Sequence, residues 1–400
     1  MRARRSHRLV RLLAVSLALT TGIAVVTSGS PAVAKPSGTP VKLMLISEFS
    51  NGVTTPEIAN GAKAAVKALN KKNGIDGSPV ELTVCDTKND PNTATDCGQK
   101  AVDGKYLAAV GSQSVQAGKY FPLLQQAQIP MVGNNVADPA DFINPASFPL
   151  GGGLLSTIGG LASALADAGS KKISVAYINV AQGAVIPTLA NMALKRYNLE
   201  VVNKVPVDSG TPDIASSVEA ATANGTDGII LAITGQDAIN FIQQYVSSGK
   251  TGVKFALITT DAAAVLKVIK GEKNLVFYGS VSYDRRNKQF LKDMVAAGYK
   301  KTPVGQEIVS YAAVMAVAQA AQGLTTLDAP SLYAKLPTIT ALDLGTIMPI
   351  VDFSKAGQVI ALAPRVSNVC VKTSKLGKTD FVIQSKNWSD AYTGATCQAG

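Results

Sequence analysis

The amino-acid sequence predicts an α/β protein with two lobes, each a parallel sheet flanked by helices. Short apolar runs alternate with longer amphipathic runs over residues 41–132, and the same alternation returns over residues 173–259. Such βα alternation is typical of parallel strands covered by helices on both faces. The chain has 400 residues, of which 46% are hydrophobic, so it is long enough for two such units. This apolar content excludes a disordered chain.

The first unit predicts four strands with helices between them. The strands fall at 41–46, 80–85, 106–110 and 129–132, and two of the helices at 91–102 and 119–126. Another helix begins at Thr55-Pro56-Glu57, because a capping residue followed by proline and an acid is typical of a helix start. Its apolar face is predicted from a helical spacing of Ile58, Ala62, Ala65 and Leu69.

A second unit follows the glycine run Gly151-Gly152-Gly153. Its predicted strands are 173–178, 199–205, 228–233 and 253–259, and its predicted helices are 187–197, 211–225 and 237–247. A later helix, 306–322, carries an apolar stripe at Ile308, Tyr311, Met315 and Ala318, which is typical of core packing. The segment 347–371 predicts two or three short strands between proline and glycine breaks.

The first 34 residues predict a signal peptide. A basic start precedes an apolar run at 12–19, and Ala32-Val33-Ala34 precedes Lys35, which is the order of a secretory signal. We therefore expect a secreted or periplasmic protein, cleaved near Ala34, with the Sec and Tat routes both open. Five arginines of the +11 net charge lie in this leader, which leaves +6 spread along the rest. An unclustered charge of this size does not favour nucleic-acid binding.

The cysteines predict disulfides and the histidine content argues against catalysis. The four cysteines allow three connectivities, and their clustering favours Cys85 with Cys97 and Cys370 with Cys397. The one histidine, His7, lies in the leader, so cleavage removes every Ser/His or Cys/His pair and every histidine metal ligand. We expect no enzymatic activity, no cofactor and no metal.

Polar residues follow the predicted strands of both units. In open α/β sheets, ligands bind beyond the carboxyl ends of the strands, so these residues are candidates for contacting a ligand. Taken singly, each is also typical of an ordinary cap or turn. None is an arginine, which favours a neutral or zwitterionic solute. The candidates are Ser112, Gln113, Ser114, Asn134, Asn135, Asn179, Gln182, Thr234, Gln236 and Asp261.

Two short segments are candidates for crossings between the lobes. They are Phe148-Pro149 and Val281-Ser282-Tyr283, and the second adds Tyr283 to the candidate ligand contacts.

The sequence resembles the type I periplasmic binding proteins, the branched-chain-amino-acid-binding class of ABC-transporter solute receptors. The resemblance covers roughly residues 41–370 and depends on the order and spacing of several motifs. They are Val41–Ile46, Asn60–Ala65, Asn73–Gly77, Cys85-Asp86-Thr87, Asp90-Pro91, Val110–Ser114, Lys171–Tyr177 and Tyr311–Val314.

This resemblance implies an arrangement in which a ligand is enclosed by hinge closure. The expected first lobe is 35–148 with 282–335, the second is 149–281 with 336–369, and 370–400 forms a disulfide-closed tail. By the resemblance, Ser112, Ser114 and Asn134 hold a ligand carboxylate and Asp261 its ammonium group. Gln182-Gly183 stands where the family often has an aromatic residue before glycine.

The function implied is that of an extracytoplasmic solute-binding protein of an ABC importer. Its partners would be a small solute, such as an amino acid or a related compound, and a membrane permease. We expect a monomer. An exported sensor or scavenger that binds the same kind of solute without a transporter is the alternative.

Overall fold

The structure is a computed structural model that describes residues 36–51, 54–211, 213–233, 235–258, 262–270, 272, 274–300, 303 and 305–400. The predicted signal peptide lies outside these residues. The strands are β1 (Val41–Ser47), β2 (Val80–Asp86), β3 (Ala108–Val110), β4 (Met131–Val132), β5 (Ser147–Phe148), β6 (Ile173–Ile178), β7 (Val201–Val207), β8 (Gly228–Ala232), β9 (Lys254–Leu257), β10 (Val276–Val281), β11 (Cys370–Leu376), β12 (Phe381–Ile383) and β13 (Ser389–Asp390).

Helices separate most of the strands, as the βα alternation predicts. They are α1 (Ile58–Lys72), α2 (Pro91–Asp103), α3 (Ala117–Gln126), α4 (Pro139–Ile143), α5 (Leu154–Asp167), α6 (Ile186–Leu194), α7 (Ala215–Thr222), α8 (Gly235–Ser247), α9 (Ala262–Val268), α10 (Lys288–Ala297), α11 (Gln306–Ala321) and α12 (Ala329–Lys335).

The first lobe is built on a parallel sheet in the order β2-β1-β3-β4-β5. One face packs against α1, α10 and α11, and the other against α2 and α3. Helices α1 and α11 approach closely at Gly61, where an added β-carbon would lie 1.7 Å from the Glu307 carbonyl oxygen. Helix α11 is buried around almost its whole circumference, so its apolar stripe is only part of a larger buried surface.

Local capping explains where two of the first-lobe helices begin and end. The Asp90 carboxylate accepts a hydrogen bond from the Thr93 amide, 2.7 Å away, and Pro91 opens α2. Helix α1 ends where Asn73 adopts a left-handed backbone with φ of 111°.

The second lobe holds a mixed sheet in the order β12-β11-β10-β9-β8-β6-β7, with β13 paired to β11. Strands β6 to β10 pair in parallel, and β11 to β13 pair antiparallel. Helices α5 and α6 cover one face, and α7 and α8 cover the other. Helix α5 is absent from the sequence prediction because it is apolar on all sides and therefore lacks a one-sided stripe.

The strands predicted within 347–371 do not form, apart from the start of β11 at Cys370. The segment instead contains turns, a short 3-10 helix at Phe353–Lys355 and two isolated pairings, Val351 with Leu342 and Pro349 with Ala399. Pro349 and Pro364 lack the amide hydrogen that a strand ladder requires, which explains the interruption.

The ends of the lobes also differ from the expected boundaries. Leu342, Val351 and Phe353 pack into the core of the first lobe, although 336–369 was expected in the second. Val366 and Val369 do lie in the second-lobe core. The expected separate tail, 370–400, instead supplies β11, β12 and β13 to the second-lobe sheet.

Both expected disulfides are confirmed. Cys85 pairs with Cys97 and Cys370 pairs with Cys397. The first joins β2 to α2, and the second joins the start of β11 to the C-terminal residues.

Candidate functional site

A cavity of about 180 Å³ lies between the lobes, beyond the carboxyl ends of the strands. The first lobe contributes residues that follow β4 and residues at the start of α11. The second lobe contributes the start of α5, Ile258 after β9, and part of the β11–β12 hairpin. The segment 280–286, which leads from β10 back to the first lobe, completes the wall. The cavity is therefore lined by both lobes and by one of the crossings.

Two side-chain amides of the first-lobe wall, those of Asn135 and Gln306, form a cluster with the side-chain amide of Gln113 beside the wall. The Asn135 amide nitrogen donates to Gln113 Oε1 at 2.7 Å and to Gln306 Oε1 at 3.3 Å. All three residues are partly buried. Since the amide nitrogens of both glutamines are donors and Asn135 Oδ1 is an acceptor, the cluster offers groups of both kinds to a solute.

Three other predicted residues of this lobe are buried and bonded within the protein. Ser112 Oγ accepts from the Ile46 amide at 3.2 Å, and Ser114 Oγ donates to Glu48 at 2.7 Å. Asn134 Nδ2 donates to Asp141 at 2.7 Å. Each of the three predicted side chains is 1% exposed. In this structure Ser112 and Ser114 support the cleft loops from within, whereas Asn134 also lines the cavity, and its Oδ1 atom has no hydrogen-bond partner among the described residues.

The Glu48 carboxylate holds the loop that follows β3 in place. Glu48 is not among the residues that the sequence predicts for the site. One carboxylate oxygen accepts hydrogen bonds from the Ser114 hydroxyl at 2.7 Å, the Thr87 hydroxyl at 3.2 Å and the Val115 amide at 3.2 Å. The side chain is 4% exposed. A buried carboxylate requires such partners, and here they fix the ends of β1, β2 and β3 relative to one another.

Asp141 plays a similar part in the loop after β4. Its Oδ2 atom accepts from the amides of Ala137 and Asp138, each at 2.9 Å, and Oδ1 accepts from Asn134. Burial raises the pKa of Asp141 to about 7, although these hydrogen bonds act in the opposite direction. The loop that carries Asn134 and Asn135 is thus held by a carboxyl group that titrates near neutral pH.

The crossing after β10 brings polar and charged groups to the cavity. The Tyr283 hydroxyl has no hydrogen-bond partner among the described residues, and burial raises its pKa. Arg285 forms an ion pair with Asp380, with Nη2 at 2.7 Å from Oδ1. The neighbouring Arg286 is exposed, and its guanidinium contacts no carboxylate in the part of the chain described.

A third crossing leads from Phe353 in the first-lobe core to Ile360 in the second-lobe core. Arg365, just beyond it, packs against the first crossing at Phe148-Pro149. Its Nε atom donates to the Ser147 carbonyl oxygen at 3.0 Å, and its guanidinium lies 4.9 Å from the centroid of the Phe148 ring. The Asn368 side-chain Nδ2 atom also donates to the Leu150 carbonyl oxygen at 3.1 Å. These contacts join the segments on which relative lobe motion would depend.

The remaining predicted residues either lie away from the cavity or fall outside the residues that the structure describes. Asn179 is exposed and donates to Asp208, and the exposed Gln236 donates to Asn240. Thr234, Asp261 and the side chain of Gln182 fall outside the described residues.

Several cavity residues escaped the sequence analysis. Gln306, Arg285, Arg286 and Phe381 come from late segments that reach the cavity only when the chain returns between the lobes. The proline and glycine breaks near them were the available signal, since such breaks are typical of crossings.

Among the described residues, no group of His, Cys, Asp and Glu side chains is arranged to bind a metal ion. Within the same residues, no helix is both long and apolar enough to cross a membrane.

Two α/β lobes that are joined by crossings and line a small cavity between them are typical of two-lobed solute-binding proteins. The family model described as periplasmic binding protein matches residues 48–363, and the chain belongs to this family. No curated protein sequence matches the chain.

Solved structures share the type I fold at low sequence identity. The solute-binding protein of an ABC transporter from R. palustris, in complex with 4-hydroxybenzoate, is 18% identical with a TM-score of 0.69, covering 88% of this chain and 98% of that one. A leucine binding protein from Thermotoga maritima is 17% identical with a TM-score of 0.65, covering 86% and 98%. A fatty acid ABC transporter substrate-binding protein from Thermomonospora curvata is 14% identical with a TM-score of 0.69, covering 89% and 94%.

Proposed function

We propose that this protein is the extracytoplasmic solute-binding component of an ABC importer and releases its solute chemically unchanged. The observation that supports this most directly is the cavity lined from both lobes and from the crossing after β10. Similar structures include solute-binding proteins of ABC transporters. In this proposal the chain is secreted after cleavage near Ala34 and acts as a monomer.

The ligand we propose is a small polar solute that is neutral or zwitterionic, such as an amino acid or a related compound. The Arg286 guanidinium and the Tyr283 hydroxyl suit a carboxylate, and Asp284 lies beside them for an ammonium group. The amides of Asn135 and Gln306 suit uncharged polar groups. The expectation of a wall without arginine was incomplete, because the crossing brings Arg285 and Arg286 to it.

The proposed mechanism is hinge closure. A solute that contacts both lobes interacts more strongly with the closed state, and it shifts the population toward that state by this difference in affinity. In the proposed division of roles, Gln113, Asn135 and Tyr283 contact the solute. Ser112, Ser114 and Asn134 keep the first wall in place. The roles of Asn179, Gln182, Thr234, Gln236 and Asp261 stay predictions.

A thermal-shift screen of the chain from Lys35 against amino acids, amides, sugars and aromatic acids tests the binding function. A solute that binds only the folded state at about 100 times its Kd stabilises the protein by about 2.7 kcal/mol and raises its melting temperature. For a carboxylate-bearing solute, Tyr283→Phe should weaken binding about tenfold, since a lost hydrogen bond is worth about 1.4 kcal/mol.

The matched control is Tyr299→Phe, which removes a hydroxyl from a tyrosine outside the cavity lining. It should leave the affinity unchanged. If no compound in the screen raises the melting temperature, or if both variants weaken binding equally, the assigned site is wrong.

Coupling to transport needs a separate measurement. Uptake of the labelled solute by cells that lack this protein should be lost and should return when the protein is supplied. Persistent uptake together with intact binding would favour the exported sensor or scavenger.

A further inference from the structure

The C-terminal segment Cys370–Gly400 lies beyond the region that the family model matches, which ends at residue 363. Its first strand, β11, pairs antiparallel with β10, the strand that leads into the crossing at 282–286. The Cys370–Cys397 disulfide closes the segment into a loop that returns to the start of β11. The segment is therefore anchored in the second lobe beside a crossing.

This segment forms part of the cavity wall. Ser374 on β11 and Phe381 and Ile383 on β12 line the cavity. Phe381 is 5% exposed, and an added β-carbon at Gly279 would lie 3.4 Å from its ring. The hairpin thus packs against β10 at Gly279 and contributes an apolar surface to the cavity.

The same segment contacts the crossing after β10 at one place and the first lobe at another. Asp380, at the end of the β11–β12 hairpin, pairs with Arg285 at 2.7 Å and 2.9 Å. The Ile350 amide donates to the Gln398 carbonyl oxygen at 3.1 Å, and Pro349 pairs with Ala399 as an antiparallel bridge.

Both contacts reach one continuous surface made of this crossing and the first lobe. The Asp284 amide donates to the Ile347 carbonyl oxygen at 2.7 Å, and the Asn287 side chain donates to Thr346 at 2.8 Å. Asp284, the residue before Arg285, is therefore hydrogen-bonded to the segment 346–350, and Ile350 at the end of that segment is hydrogen-bonded to Gln398. The disulfide-closed segment Cys370–Gly400 therefore contacts this surface at two positions, Arg285 and Ile350.

We propose that the segment Cys370–Gly400 is a clasp that sets the relative position of the lobes and contributes Phe381 and Ile383 to solute selection. Rotation of one lobe against the other must stretch or break the contacts of Asp380 and Gln398. The Cys370–Cys397 disulfide fixes the point from which Gln398 reaches the first lobe, so its loss frees the second contact. The part concerned with solute selection rests on the proposed function, whereas the clasp itself does not.

The interlobe distance in the absence of any added solute tests the clasp. Single-molecule energy transfer is measured between dyes attached through unnatural amino acids at Lys67 in the first lobe and Lys204 in the second, both of which are exposed. The Cys370→Ser/Cys397→Ser variant should broaden or shift the distance distribution. The Cys85→Ser/Cys97→Ser variant is the matched control, because it removes a disulfide that lies within the first lobe, and it should leave the distribution unchanged.

Hydrogen exchange gives an independent measurement that does not depend on removing a disulfide. A chain that ends at Cys397 should exchange the Ile350 amide at least about tenfold faster than the full chain, while Lys386→Ala, an exposed change in the same segment, should have no effect. An unchanged distance distribution in the disulfide variant, or unchanged exchange at Ile350 in the truncated chain, would overturn the clasp. Because no solute is present, these results are separate from a failure of the solute screen.

Discussion

Replacing Asp141 by Asn should change how the stability of the protein depends on pH. Asp141 is 2% exposed, and burial raises its pKa from 3.8 to about 7. The folded protein therefore binds this proton more tightly than the unfolded chain. Its contribution to stability is complete below the unfolded pKa and is lost as the pH rises toward 7.

The size of the effect follows from the shift in pKa. At about 1.36 kcal/mol for each unit of pKa, the full shift of Asp141 corresponds to about 4 kcal/mol, of which about 3 kcal/mol is lost between pH 4 and pH 7 because the folded protein is still half protonated at the upper limit. Asparagine does not titrate, so the variant escapes this loss. Relative to the wild type, the free energy of unfolding of Asp141→Asn should rise by about this amount over the same range.

Urea unfolding followed by circular dichroism between about pH 4 and pH 8 measures this difference directly. The exposed Asp96 on α2 provides a control, and Asp96→Asn should follow the wild-type pH dependence. A constant difference between Asp141→Asn and the wild type at every pH would refute the reasoning that Asp141 is a buried, titrating support of the cleft loop.

Three further substitutions test the supports of the cleft, each by urea unfolding. Gly111→Ala should cost about 2 kcal/mol or more, because φ is +58° and the new β-carbon would lie 2.5 Å from Ser310 Cα. Glu48→Ala should cost about 2–4 kcal/mol, because it leaves buried donors without an acceptor. Arg365→Met should cost about 1–2 kcal/mol through the lost contacts with Ser147 and Phe148. Unfolding midpoints equal to that of the wild type would contradict each assignment.

The sequence predicts the two-lobed fold well because its signals are local. Strands buried on both faces appear as apolar runs, as in Val41–Ser47 and Ile173–Ile178, and helices between them carry one apolar face. Helix α5 escapes this reasoning because burial on all sides removes the periodicity. The strands predicted around Pro349 do not form, because the β-forming residues there have no continuous partner strand.

The candidate site is predicted less completely because the relevant contacts join distant parts of the chain. A serine after a strand gives no sign of whether it faces solute or protein, and Ser114 bonds to Glu48, 66 residues away. Asn135 lies at the cavity as expected, yet its partner Gln306 is 171 residues away. Phe381 reaches the same cavity only through the antiparallel pairing of β11 with β10 and β12.

A crystal structure of the protein with a solute from the thermal-shift screen tests the central claim most directly. We expect unaltered solute between the amides of Asn135 and Gln306 on one side and Tyr283 on the other, with the lobes closer together than in crystals grown without it. Solute bound outside this cavity, a chemically altered solute, or lobes that keep the same separation would contradict the claim that the protein binds by closing around its ligand.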